Sequence, residues 1–242
     1  MLFSMLLLAG LYLHQARPIP DANTIIDRSI EYHDPYNKWN NLQAHINFIE
    51  TRPKVETRQS SVEVDNKNGI FCISREMDKM HVQRHIVKDT CIYNIDEYEE
   101  LTDKEIEHYK LNNEYTFILR NYYLYLWGLP MKLRDKGATT KNEVKQVPFN
   151  GRQAYEVSVS YDKEVGSDLW FFYFNVDSYA LLGYKFYHDN GKGDGEYVTL
   201  KDYELVFGIN IPKTRSWYAA KDSTFLGTDA LSTFDIISHN HQ

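Results

Sequence analysis

The chain has 242 residues, with 34 acidic against 27 basic side chains and a formal net charge of −7. An acidic molecule repels phosphate overall, which excludes nucleic-acid binding by a basic surface. With only 7 Pro and 12 Gly, the sequence is neither collagen-like nor low-complexity; 19 Tyr, 12 Phe and 4 Trp instead suit strand positions where a ring packs and a hydroxyl reaches water.

Met1 to Leu13 is almost continuously apolar. It is too short for a bilayer span, which takes about 20 residues, and has the size of a signal-peptide core. Residues 1–16 read as a signal peptide, with Ala16 suited to the last position before cleavage and Arg17 near the start of the mature chain. No cysteine follows the apolar run, so a lipoprotein anchor is not expected, and no later segment is apolar for long enough to cross a membrane.

Ala22 to His33 carries Ala22, Ile25, Ile26, Ser29, Ile30 and His33 along one helical face, with Asp21 or Asn23 as N-cap and Asp34-Pro35 as stop. Alternating apolar and polar residues then give strands over Leu42–Phe48, around Val62 and Val64, over Gly69–Ser74 and His81–Val87, and after Thr90. Thr102-Asp103-Lys104-Glu105 has the form of a capping box and opens one or two helices from 103 to about 127, ended by Gly128-Leu129-Pro130. Strand patterns return over 144–149, 153–161, 169–175, 181–188, 196–206, 209–219 and 231–237. Their connections, among them Asn150-Gly151, Asp189-Asn190-Gly191 and Phe207-Gly208, are short and rich in turn residues, which makes antiparallel hairpins. The expectation is an α+β fold, a strongly curled antiparallel sheet of about ten strands (an incomplete β-barrel) wrapped around the N-terminal helix and the mid-chain helical segment, with residues 17–242 forming one domain. Leu169 to Phe174 is apolar on both faces, as expected where one face packs on helices and the other is partly covered or lines a cavity.

Few residues point to catalysis. His33-Asp34 and His188-Asp189 pair a histidine with a carboxylate, and a metal-dependent hydrolase using His33, His188 and Asp189 or Glu196 is one reading. The plainer reading is a histidine at a helix C-terminus and another at a strand end. Gly191 to Gly195 is followed by strand-like residues, so it is a hairpin turn and not a phosphate loop; no nucleophile elbow or zincin helix is present, and no cofactor is expected. Cys72 and Cys91 both sit in strand-like runs, and a disulfide and two buried thiols remain equal alternatives. The densest aromatic stretch, Arg120 to Met131, carries more rings than one helical face can bury. Tyr122, Tyr125, Trp127, Leu129 and Met131 are therefore candidates to border an apolar ligand, with Trp170 and Phe172 facing them from the sheet.

Several segments resemble an uncharacterised family of exported Gram-negative proteins. They are Tyr32-His33-Asp34-Pro35 with Trp39, Arg120 to Leu133, Tyr161 to Gly166, Phe186 to Asp189, Asp194 to Tyr197, Ile211-Pro212-Lys213 and Leu226 to Asp229. In outline the chain is similar to the LolA/LolB-like lipoprotein carriers, which fold as an incomplete β-barrel closed by helices over an apolar cavity. That resemblance implies a periplasmic, non-enzymatic carrier for an apolar small molecule, a lipid or a lipoprotein acyl chain. An envelope protein that docks a protein partner through its aromatic surface is a further reading.

Overall fold

The computed structural model describes residues 18–96 and 100–237. The proposed signal peptide lies outside the described residues.

Helix α1 (Ala22–His33) forms where the periodicity places it. The Asp21 carboxylate accepts from the Thr24 N–H, and Ala22, Ile25, Ile26, Ser29 and His33 are buried along one face. Five strands follow: β1 (Gln43–Thr51), β2 (Arg58–Asp65), β3 (Ile70–Met77), β4 (Met80–Val87) and β5 (Thr90–Ile95). The helical segment divides into α2 (Asp103–His108) and α3 (Asn113–Gly128). The Thr102–Glu105 capping box is present at the start of α2, and Asn112 caps α3. Seven more strands complete the chain: β6 (Ala138–Phe149), β7 (Arg152–Tyr161), β8 (Leu169–Asn175), β9 (Leu181–Tyr187), β10 (Gly195–Val206), β11 (Ile209–Ala219) and β12 (Phe225–Ile236).

All twelve strands join one antiparallel sheet in the order β5-β4-β3-β2-β1-β12-β11-β10-β9-β8-β7-β6. The count exceeds the expected ten, because every short alternating run pairs. β12 also begins six residues before the expected 231, at Phe225. The meander is interrupted once, where β12 returns to pair with β1 and joins the two halves. The edge strands β5 and β6 do not meet, so the sheet is open.

The curl follows from what α3 touches. Tyr123 receives a hydrogen bond from Arg75 on β3, while Tyr125 packs on Trp170 of β8 with ring centroids 5.4 Å apart. These strands are seven spacings apart in the sheet order, about 34 Å if the sheet were flat. Side chains two residues apart on one helix cannot span that distance, so the sheet bends around α3. The main core lies within this concavity, with Phe48, Val62, Ile73, Val157, Phe172 and Val198 fully buried together with Trp127 of the helix.

The cysteine bridge does not form. Cys72 lies opposite His85 on β4 and Cys91 lies opposite Ile86 on β4, so β4 separates them and they project from opposite faces. Both are free thiols, and burial, followed by the nearby Glu63 charge, pushes Cys72 up to about 12.

Candidate functional site

The concave face is aromatic over one half and charged over the other. The aromatic half begins at Trp170, which stacks on Phe186 at 4.6 Å and Phe172 at 6.0 Å. Phe172 leads to Tyr184 at 6.1 Å, Tyr184 to Trp217 at 6.3 Å, and Trp217 to Tyr122 of α3 at 6.2 Å. Tyr125 closes the circuit against Trp170, and its hydroxyl shares a short hydrogen bond with that of Tyr161. Strand alternation assigns the faces: Trp170 and Phe172 look at the helix, while Phe171 and Tyr173 join a small outer cluster with Phe149.

The residues singled out from the aromatic segment are distributed along this wall. Trp127 is fully buried, with the Arg215 guanidinium 3.7 Å from its ring centroid and Phe48 5.5 Å away. Leu129 is buried just after the helix, and Met131 packs half-buried against the same core. Tyr122 is at the rim, with 40% of its surface exposed. Desolvation, then the Asp229 charge, raises its hydroxyl well above the ordinary phenol value. Burial likewise raises the Tyr125 and Tyr184 hydroxyls, so the wall is uncharged at neutral pH.

Sequence reading missed the charged half. One row of the sheet carries Arg58, Glu50, Asp229 and Arg215 across β2, β1, β12 and β11. Glu50 is buried; it accepts from Arg58 at 2.7 Å, from Ser60, and from the Tyr123 hydroxyl at 3.2 Å, and lies 4.0 Å from Arg75. Burial raises its pKa, but the Arg58 hydrogen bond and the Arg75 and Arg58 charges outweigh that and leave it at about 2. Asp229 pairs with Arg52 at 2.7 Å and accepts from the Trp217 indole at 2.9 Å. Arg75, Arg84 and Arg215 are also buried. A groove of about 740 Å³, lined by Glu50, Arg58 and Met77 among others, opens at the strand ends beside this network. The signal was in the alternation: Phe71, Ile73 and Arg75 share a face, as do Val82, Arg84 and Ile86, which puts a charge in line with core residues.

The hydrolase constellation does not assemble. His33 is buried near the start of β9, its Nε2 accepting from the Leu181 N–H at 3.1 Å and its Nδ1–H donating to the Asn210 carbonyl at 2.8 Å. His188 is exposed beyond the other end of β9 and meets Asp168 at 3.2 Å. The length of β9 puts about 20 Å between the two ends. Asp189 is exposed in the one-turn helix His188–Gly191 that follows, and Glu196 is on the next strand near His188. No group of three or more metal-binding side chains occurs among the described residues.

The family of unknown function DUF6503 matches residues 1–233, and the chain belongs to it. No curated protein matches the sequence. Among solved structures, the chain is similar to a LolA superfamily protein from Nitrosomonas europaea, at 9% identity and a TM-score of 0.57, over 91% of this chain and 96% of that one. A putative outer-membrane lipoprotein-sorting protein domain from Vibrio parahaemolyticus follows, at 11% identity and a TM-score of 0.53, over 90% and 93% of the two chains. A DUF1329 family protein from Desulfovibrio piger has 9% identity and a TM-score of 0.50, over 88% and 92%. At these identities the likeness establishes the fold: an open, LolA-like antiparallel sheet around helices.

Proposed function

We propose that this DUF6503 protein is a non-enzymatic carrier of an apolar ligand, a lipid or a lipoprotein acyl chain, held between α3 and the concave face of the sheet. The observation that carries the reading is the unbroken aromatic wall from Tyr125 through Trp170, Phe172, Tyr184 and Trp217 to Tyr122. It faces α3, whose exposed positions include Ile118 at 56% and Tyr122 at 40% beside the polar Asn113, Glu114 and Asn121. Shielding an acyl chain from water contributes about 0.8 kcal/mol per methylene, so no covalent chemistry is required. The ligand would lie between α3 and the wall, touching Tyr122, Tyr125, Trp127, Leu129, Met131, Trp170 and Phe172. The fold similarity to a LolA superfamily protein and to a lipoprotein-sorting domain supports this reading. The apolar start of the chain supports export, so the carrier would work in the periplasm as a mature chain without a membrane span.

Native mass spectrometry with lipid extraction, on protein purified from its own cell envelope, tests the proposal. A co-purifying acyl lipid is expected. Protein that is empty and also fails to take up the methyl ester of a fluorescent fatty acid overturns it.

A further inference from the structure

The buried arginines Arg75, Arg84 and Arg215 each have an Nε without a hydrogen-bond partner among the described residues, and two of them, Arg75 and Arg84, lie side by side. Arg75 and Arg84 lie on the concave face of neighbouring strands, offset by one diagonal step, so their Cα atoms are about 7–8 Å apart. Arg84 is 1% exposed and Arg75 is 7% exposed. One Arg84 nitrogen donates to the Tyr109 carbonyl; its Nε and Nη1 have no hydrogen-bond partner among the described residues. Arg75 donates to the Tyr123 hydroxyl and reaches Glu50 only at 4.0 Å, and its Nε is also without a partner. No carboxylate of the described residues forms an ion pair with Arg84.

This arrangement is costly as it stands. Glu50 already serves Arg58 and Asp229 already serves Arg52, so Arg75 and Arg84 are a surplus of positive charge inside a protein whose net charge is −7. An uncompensated buried guanidinium costs several kcal/mol, and buried N–H groups are nearly always satisfied. The surroundings fit a ligand better than solvent. The rings of Tyr123 and Tyr115 lie 5.1 Å and 5.6 Å from the Arg75 and Arg84 guanidinium carbons. The groove lined by Glu50, Arg58 and Met77 reaches Glu50, which lies 4.0 Å from Arg75. Farther in from Arg84, the next positions on the same face are Val64, Phe71 and Ile86, all buried and apolar.

We infer that Arg75 and Arg84 form an oxyanion site, taking a carboxylate or phosphate group between their unpartnered N–H donors. Guanidinium forks match both groups in geometry and charge. On the carrier reading, on which this form of the inference rests, the oxyanion is the head group of the amphiphile held between α3 and the concave face. A free oxyanion would occupy the same donors without needing that reading.

The test compares three probes on the purified protein at neutral pH: cis-parinaric acid, its methyl ester, and inorganic phosphate. The first two are read by fluorescence and the third by calorimetry. The expected result is that the acid binds at least tenfold tighter than the ester. In Arg84→Met the preference should fall to within twofold while ester binding persists. Arg84→Lys, which keeps the charge but loses the fork, should recover only part of it. Phosphate binding that Arg84→Met abolishes, with neither acid nor ester bound, upholds the oxyanion site and overturns the carrier reading. Equal binding of acid and ester with no phosphate binding overturns the oxyanion site and leaves the carrier reading intact. Failure of all three probes overturns both. The wild-type comparison of acid with ester decides the matter even if the Arg84 variants do not fold.

Discussion

His33 is uncharged at neutral pH because both ring nitrogens are committed within the core: one accepts from Leu181 and the other donates to Asn210. Burial lowers its pKa from 6.5 to about 4, against a smaller opposing effect of the Asn210 carbonyl. The unfolded chain therefore binds a proton as pH falls through 6.5, and the native protein does not until pH approaches 4. Stability that is fully present above pH 6.5 is lost across that window, by about 3 kcal/mol in total. Urea unfolding at pH 7 and pH 4.5 should show most of this loss in the wild type. His33→Gln, which has no titrating group, should lack it and be less stable at pH 7. A pH dependence identical in the two proteins would refute the assignment. Glu50 acts in a lower window, since its depressed pKa means that its contribution is lost only as pH falls from about 4.5 toward 2.

At the scale of elements, α3 is held by its C-terminal end as much as by its aromatic face. A Cβ added at Gly128 would lie 2.5 Å from Cζ2 of Trp39 and 2.6 Å from Cγ of Lys132. Trp39 is only 4% exposed, so its ring has no room to retreat. Gly128→Ala should therefore cost about 1–3 kcal/mol as an overpacking defect, despite the better helix propensity of alanine. A thermal melt reads the loss, and Trp39→Leu in the same chain should restore part of it. A Gly128→Ala variant as stable as the wild type would show that the contact is looser than these distances. The elements themselves were legible because local pattern and local structure agree: α1 starts and stops at Ala22 and His33, and the Thr102 capping box forms. Tyr122, Tyr125 and Trp127 stood out because a helix with rings on several sides is rare, whatever it packs against. The arginines did not stand out, because Arg75 and Arg84 acquire meaning only when strands distant in sequence curl around α3 and remove them from water. The cysteine pairing was undecidable for the same reason, since register decides which face a residue occupies and only the assembled sheet fixes register.

At the scale of the whole molecule, an open twelve-stranded sheet has two edges, and each presents unpaired backbone groups that could join another chain. β6 is the longer edge, at 12 residues against 6 for β5. Its sequence carries devices that discourage pairing. Lys141, Glu143 and Lys145 are exposed, Lys145 pairs with Glu143 at 3.3 Å, and Pro148 removes one backbone donor. The register with β7 also shifts between Thr140 and Val144, which bends the strand and breaks the regular edge. These features leave the edge unpaired while α3 fills the concavity of the open sheet. Replacing Lys141 and Lys145 together with valine removes the charges while favouring an extended strand. The double variant should stay within about 1 kcal/mol of the parent's stability in a thermal melt, because both side chains face solvent. It should nevertheless self-associate in a concentration-dependent manner, read by light scattering after size-exclusion chromatography. If the double variant scatters no more than the parent at every concentration, the edge is protected by the bulge and Pro148 alone, and the lysines have no part in keeping it unpaired.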